Sequence, residues 1–205
     1  MTKNNFNTVM EAVERLLSAD GFAVSKRGVF TRQTFGDWYA WIGITGNSFM
    51  LSPIVGVFNR ELIDIAARAF EILGRKRDIQ FDGPPLIMAN LESLAPSNTS
   101  CSQDAEWHYV GVALTEEAAT ELVACLRKHA YPFCESHTSL DSIVDAAKSG
   151  MGGFSLPSFL PIILTKLGLS NELNAYVDNR IMKVGDAKLA QEYLDYVKTV
   201  IEIAS

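Results

Sequence analysis

The feature that most constrains the fold is a phrase that the chain nearly repeats. Val55-Gly56-Val57 runs into the segment Asn59–Leu73, and Val110-Gly111-Val112 runs into Thr115–Arg127. In both places a short β-run with a central glycine passes through a helix-capping residue into an amphipathic helical pattern. The repetition predicts a sheet with helices in two similar halves, with the two glycines at equivalent places in one continuous sheet.

Between Phe22 and Phe58 the sequence predicts an antiparallel meander. Its β-runs are separated by Lys26-Arg27-Gly28, which suits a bulge or a tight turn, and by two pairs that favour hairpins, Gly36-Asp37 and Gly46-Asn47. The run from Trp38 to Thr45 alternates, so its isoleucines share one side and its remaining rings the other. We assign the isoleucine side to packing against helices.

After Pro132 the pattern becomes helical. Thr138–Ser149 predicts a helix capped by Thr138 and Asp141, and the glycine-rich run from Gly150 to Gly153 predicts a turn. Phe154–Leu164 is the longest apolar stretch, but a membrane span needs about 20 apolar residues. This stretch therefore predicts a buried helix or a hairpin, and the chain is expected to have no membrane partner.

These patterns together predict the α+β class. The expected architecture is a mainly antiparallel sheet in two loosely repeated halves, with helices packed on one face, over residues 1–149. An α-helical C-terminal region over residues 150–205 is expected to pack on it, so that the two form one structural unit.

Composition narrows the choice of partners and compartment. The 205 residues carry a net charge of −6, which disfavours nucleic acid and anionic membranes as partners. The polar start Met1–Asn5 shows no signal peptide, so we expect a cytoplasmic location. Cys101, Cys125 and Cys134 make an odd number of cysteines, which in that compartment predicts reduced thiols.

Motifs for chemistry are missing or weak. The chain has no Gly-x-Ser-x-Gly elbow and no Ser-x-x-Lys, and its glycine-rich run lacks the Lys-Ser/Thr of a phosphate-binding loop. His129, Cys134 and His137, with Cys101 or His108, are the best set of metal-ligand residue types. Their spacing matches no common zinc site. We therefore predict no catalytic residue, no metal and no cofactor.

Aromatic residues on two predicted strands are the candidate binding residues. Tyr39 and Trp41 lie two apart on one strand, and Trp107 and Tyr109 lie two apart on another. Each pair therefore shares one side of a sheet. Trp and Tyr dominate interface hot spots, so these residues predict a partner-binding face with acidic residues at its rim. The alternative is that the same rings are core residues of a strand buried on both sides.

A resemblance supports the binding interpretation. The chain has a helix, then Gly21-Phe22, a basic-aromatic strand Lys26–Arg32, a Trp-rich strand and a Val-Gly-Val strand. It ends with Leu164–Leu169 and a helical tail containing Tyr193–Val197. This order is similar to that of small bacterial cytosolic proteins of unknown function, some of which are grouped with immunity proteins of toxin systems. The resemblance implies a protein partner, a toxin among the candidates, and carries over no functional residue.

Three functions remain open at this point. The leading hypothesis is a non-enzymatic protein-binding protein of the bacterial cytosol, acting as an immunity or inhibitor protein. The alternative is an enzyme of unrecognised type with a site between the sheet and the C-terminal helices. The third is a homo-oligomer in which Phe154–Leu169 packs across a two-fold axis.

Overall fold

A computed structural model describes the chain outside residues 1, 47–49, 76–84, 96–106, 109–114 and 153–155, with the backbone alone at 2–5, 50, 107, 108 and 115. The strands are β1 (Ala23–Lys26), β2 (Val29–Phe35), β3 (Trp38–Gly46), β4 (Met50–Asn59), β5 (Ile87–Asn90) and β6 (Trp107–His108). The helices are α1 (Thr2–Ala19), α2 (Arg60–Ile72), α3 (Leu91–Leu94), α4 (Thr115–Cys125), α5 (Tyr131–Ser136), α6 (Leu140–Lys148), α7 (Leu156–Lys166), α8 (Ser170–Val184) and α9 (Ala187–Ala204), with a π-helical turn at Leu126–Ala130.

The sheet has the strand order β1-β2-β3-β4-β5, and β6 also pairs with β4. The pairs β1–β2, β2–β3, β4–β5 and β4–β6 are antiparallel. This arrangement confirms the predicted α+β class, the antiparallel sheet and the helical C-terminal region. Gly56 lies in β4, opposite Met88 of β5. The second Val-Gly-Val phrase, with Gly111, falls outside the described residues, so the two-halves repeat stays a prediction.

The chain divides into two compact units that both draw on separated parts of the sequence. The first unit, which we call the sheet unit, contains residues 1–58 and 87–138. The second, the helical unit, contains residues 59–86 and 139–205. Helix α2 therefore belongs to the same unit as α6–α9, although it follows β4 directly in the chain.

In the sheet unit, α1 packs against α4 and also contacts β1. Its core stripe contains Val9, Val13 and Leu17, all fully buried at helical spacing. The helix ends at Gly21, which has a φ of 84°. The N–H of Phe22 donates to the carbonyl of Leu17, so the helix closes with a left-handed glycine.

The π-helical turn between α4 and α5 has a cause in the sequence. Pro132 has no N–H and its ring clashes with the carbonyl four residues earlier, so an α-helical register cannot continue through it. The N–H of Tyr131 donates instead to the carbonyl of Leu126, five residues back. The wider turn lets the chain pass Pro132 and continue directly into α5.

In the helical unit, α7 is the central helix. It contacts α2, α6, α8 and α9, and its residues from Phe159 to Leu164 are all buried. This confirms a buried helix for the described part of the longest apolar stretch. Pro161 lies inside α7 and leaves the carbonyl of Pro157 without its helical donor. The hydroxyl of Tyr193, in α9, is 3.4 Å from that carbonyl and donates to it.

Side chains cap three of the described helices, and the cap at Asn59 is the one that the sequence predicts. The side chain of Asn59 accepts from the N–H of Leu62 and caps α2, and Asp186 accepts from two N–H groups and caps α9. The predicted cap of α6 is wrong by one residue. Ser139 and Ser142 form a reciprocal capping box there, in place of Thr138 and Asp141, since the serine hydroxyl both donates and accepts at this spacing.

The cysteine prediction needs a correction. Cys134 is a free, buried thiol, as expected. Cys125, at the end of α4, is disulfide-bonded, so the expectation of reduced thiols is wrong for this residue. An odd number of cysteines leaves one thiol unpaired and does not prevent the others from pairing.

Candidate functional site

The two sides of strand β3 differ sharply in exposure. Trp38, Ala40, Ile42 and Ile44 are all buried, with at most 7% of any of them exposed. Tyr39 and Trp41, between them on the opposite side, are half-buried. Helix α5 contacts β3, and Arg32, directly opposite Ala40 in the neighbouring strand, lies over the ring of Tyr131 in α5. The isoleucine side is therefore the helix-covered face, as the alternation predicts.

The other side, which we call the uncharged face, lacks a charged side chain at every position from β2 to β5. Register and alternation define it: Val29, Thr31 and Gln33 lie opposite Gly43, Trp41 and Tyr39, and Ile54 and Gly56 lie opposite Asn90 and Met88. The complete set is Val29, Thr31, Gln33, Tyr39, Trp41, Gly43, Thr45, Ser52, Ile54, Gly56, Phe58, Met88 and Asn90. Charged residues make up 20% of the chain, so their absence from this face is a specific feature.

Trp41 lies flat along its own strand because the next position on that side is a glycine. A Cβ atom at Gly43 would lie 2.2 Å from the Cη2 atom of the indole, which is far inside any real contact distance. The indole Nε1 is shielded from solvent and finds no hydrogen-bond acceptor within the described part of the chain. Trp41 thus presents a ring surface while its polar atom stays buried.

Tyr39 is held by a second ring on the same face. It stacks on Phe58 of β4 with ring centroids 5.2 Å apart and planes 5° apart. Trp107 lies in β6 opposite Leu51, and its backbone alone is described. Tyr109 lies outside the described residues. The structure therefore brings Tyr39 and Trp41 onto one face, whose other described residues range from buried, as Phe58 is, to exposed, as Gln33 is. The contribution of Trp107 and Tyr109 stays a prediction.

A hydrogen-bonded cluster that the sequence patterns did not reveal fixes the opposite side of the sheet unit. The carboxylate of Asp20 accepts from Arg127 Nε at 2.8 Å, from Arg127 Nη2 at 2.9 Å and from the hydroxyl of Tyr131 at 2.6 Å. The hydrogen bonds from Arg127 hold the pKa of Asp20 below its usual value. Burial, followed by the bond to Asp20, raises the pKa of Tyr131.

Arg32 joins this cluster through its planar group. Its guanidinium carbon lies 4.8 Å from the ring centroid of Phe22 and 4.5 Å from that of Tyr131. It also donates to the backbone carbonyl of Asp20 and pairs with Glu135 at 3.4 Å. These contacts connect the end of α1, strand β2 and helix α5. The cluster is saturated by its own members, which suits a structural role.

The residues considered in the sequence as a metal-ligand set, and then rejected for their spacing, each have separate contacts. Cys134 Sγ is 3.4 Å from the carbonyl oxygen of Gly56, and burial raises the pKa of this thiol to about 12. His137 Nδ1 lies 2.7 Å from the carbonyl oxygen of Phe133. Burial, helped by Lys128, lowers the pKa of His129. Across the residues that the structure describes, no three His, Cys, Asp or Glu side chains are grouped to hold a metal ion.

Comparison with protein-family models, curated proteins and solved structures gives no match to this chain. None of the helices among the described residues is long and apolar enough to span a membrane. The functional argument therefore rests on the geometry of the chain itself, and the uncharged face is the feature that most needs an explanation.

Proposed function

We propose that the chain is a non-enzymatic protein-binding protein of the bacterial cytosol, acting as an immunity or inhibitor protein that occludes a toxin. The observation that carries the proposal is the uncharged face, with Tyr39 and Trp41 half-exposed at its centre. A chain with a net charge of −6 places its charged side chains elsewhere and leaves this side of the sheet neutral.

The composition of this face is the composition of interface centres. Charged residues are depleted at the core of protein–protein interfaces, whereas aromatic residues and methionine are enriched there. The rings on this face are also preorganised, since Tyr39 is stacked on Phe58 and Trp41 lies against Gly43. A side chain that is already fixed loses little conformational entropy when a partner covers it.

The partner can be sought beside the gene, because immunity proteins are encoded next to their toxins. Expression of the neighbouring gene's product alone should prevent growth, and expression of this chain together with it should restore growth. The two purified proteins should form a complex measurable by calorimetry. Trp41→Ala should weaken that complex by about 2 kcal/mol or more, the size typical of hot spots. Met182→Ala removes a side chain that is 78% exposed in the helical unit and serves as the matched control, with no expected effect.

A denaturant melt of Trp41→Ala separates a binding role from a core role before any partner is known. Removing a fully buried tryptophan costs roughly 3–5 kcal/mol of unfolding free energy. We expect about 2–3 kcal/mol here, at the lower end of that range, because Trp41 keeps part of its surface in solvent and the loss scales with the area buried. A loss in the upper range would make Trp41 a core residue and remove the support for the proposed face.

A further inference from the structure

The helical unit contains a groove of about 430 Å³, which lies within the size range of sites for small molecules. Its walls come from three successive helices, α6, α7 and α8, and from the turn after α6. The lining residues are Val144, Ala147, Lys148, Gly152, Leu156, Pro157, Leu160, Leu164, Glu172 and Tyr176.

The floor of the groove is apolar. Leu156, Leu160 and Leu164 recur every four residues along α7, so they lie in one row on the same side of that helix. Tyr176 forms part of the wall with a half-buried ring. This surface suits an aliphatic or aromatic body and gives it no charged group to desolvate.

The rim carries one charge of each sign. Lys148 is the last residue of α6, and Glu172 lies in the first turn of α8. Both are exposed, and neither forms an ion pair or a hydrogen bond with another residue of the described chain. By contrast, Lys166 of the same unit is paired with Glu61 at 2.6 Å. The groove therefore combines an apolar floor with an unpaired cation and an unpaired anion.

We propose that this groove binds a small zwitterionic molecule with an apolar body, of the class of a dipeptide of large apolar residues. The side chains of the ligand lie on the leucine row, its carboxylate pairs with Lys148 and its ammonium group with Glu172. A ligand with only an anionic head is disfavoured, because Glu172 would repel it. The inference is independent of the proposed protein-binding role, since every residue involved lies in the helical unit.

The test is a calorimetric titration of the whole protein with the dipeptide Leu-Phe and with two blocked forms of it. The N-acetyl form has no ammonium group, and the C-terminal amide has no carboxylate. We expect saturable binding of the free dipeptide and at least tenfold weaker binding of each blocked form.

Variants of the rim assign each end of the ligand. Lys148→Met should weaken binding of the free dipeptide about tenfold. This variant should bind the C-terminal amide as tightly as it binds the free dipeptide. Glu172→Gln should also weaken binding of the free dipeptide about tenfold, and it should bind the N-acetyl form as tightly as the free dipeptide. Lys183→Met and Glu202→Gln change exposed charges outside the groove and should bind like the unmodified protein.

Three results would overturn the proposal. The first is the absence of saturable binding of Leu-Phe to the unmodified protein. The second is equal binding of the free and blocked dipeptides, which shows that the rim charges take no part. The third is octanoate, a simple anionic amphiphile, binding as tightly as the dipeptide. None of these results depends on a variant that fails to fold.

Discussion

The two faces of strand β3 are built from alternate residues of one segment, yet their side chains differ in exposure and in the contacts that fix them. Ile42 is fully buried on the helix-covered face, which α5 of the same unit contacts. One residue earlier, Trp41 is half-exposed on a face without charges. On the first face the side chains are fixed by contacts from α5 and by the Asp20 cluster. On the second, Tyr39 stacks on Phe58 and the indole of Trp41 lies over Gly43.

This difference teaches that rigidity and exposure can coexist on one sheet. A surface ring normally needs neighbours above it to be held, and those neighbours would hide it. Here Gly43 leaves room for the indole of Trp41 to lie along the strand, and the ring of Phe58 stacks on that of Tyr39. The face is ordered while it stays accessible to a partner, which lowers the entropic cost of binding.

The contrast between the two faces predicts that an isoleucine on the helix-covered face contributes more to stability than one on the uncharged face. Ile42→Ala should cost about 2–5 kcal/mol of unfolding free energy, the range for deleting a buried isoleucine side chain. Ile54→Ala, on the uncharged face, is the matched control and should cost less, about 1–3 kcal/mol, because Ile54 keeps part of its surface in solvent. Urea melts of the two variants measure both values. Equal losses would mean that the uncharged face is a second core.

The Asp20 cluster should account for part of the stability of the helix-covered side. Asp20→Asn leaves the geometry in place but removes the charge that Arg127 and Tyr131 contact. We expect a loss of about 1.5–3 kcal/mol at neutral pH, as for hydrogen bonds to a charged group.

The same residue sets a pH dependence. The pKa of Asp20 is lowered in the folded protein, chiefly by the hydrogen bonds from Arg127. Its contribution is therefore complete above the unfolded pKa of about 3.9 and is lost as the pH falls through the folded pKa. Melts between pH 6 and pH 2 should show a smaller acid-induced loss of stability for Asp20→Asn. If the unfolding free energy of Asp20→Asn fell with decreasing pH as steeply as that of the unmodified protein, the ionisation of Asp20 would not be coupled to folding.

Gly43→Ala tests whether the indole of Trp41 lies directly over Gly43. The added methyl group overlaps three atoms of the indole, so the ring must move. We expect a loss of about 1–3 kcal/mol, typical of overpacking. In a Trp41→Ala background the same change should cost much less, since the overlap is gone. A double-mutant cycle by urea melts gives this coupling, and additive losses would contradict the arrangement.

The smallest effect concerns Cys134, on the helix-covered side. Its thiol is buried and its pKa is raised to about 12, so very little thiolate exists at pH 8. Modification by a thiol reagent should be much slower in the native protein than in urea, with mass spectrometry locating the label at Cys134. Rapid native labelling would show that this side opens readily, which would weaken the contrast between the faces.

Local patterns predicted a large part of the fold. The alternation in β3 predicted which side packs against helices, and the capping residue Asn59 predicted the start of α2. These features depend on residues within a few positions of one another, and such spacings are visible in the sequence. The α6 cap was misplaced by one residue because Thr138, Ser139 and Ser142 are all capable of capping.

The candidate site was predictable only in part. Tyr39 and Trp41 were identified from the sequence, but the neutrality of their whole face depends on the register of four strands. The groove residues Lys148 and Glu172 were not singled out, because nothing local distinguishes them from other surface charges. Pro132 and Pro161 were the available signals for the π-helical turn and for the freed carbonyl in α7.

The sequence by itself determined the α+β class, the antiparallel meander and the alternation of β3, because periodicity and turn residues act over short distances. Only the tertiary structure decided that α2 joins α7 and α9, and that Asp20 meets Arg127 across the chain. It also decided that the uncharged positions of separate strands form one face. These results depend on contacts between residues far apart in sequence, and a single sequence carries no local sign of which distant residues will meet.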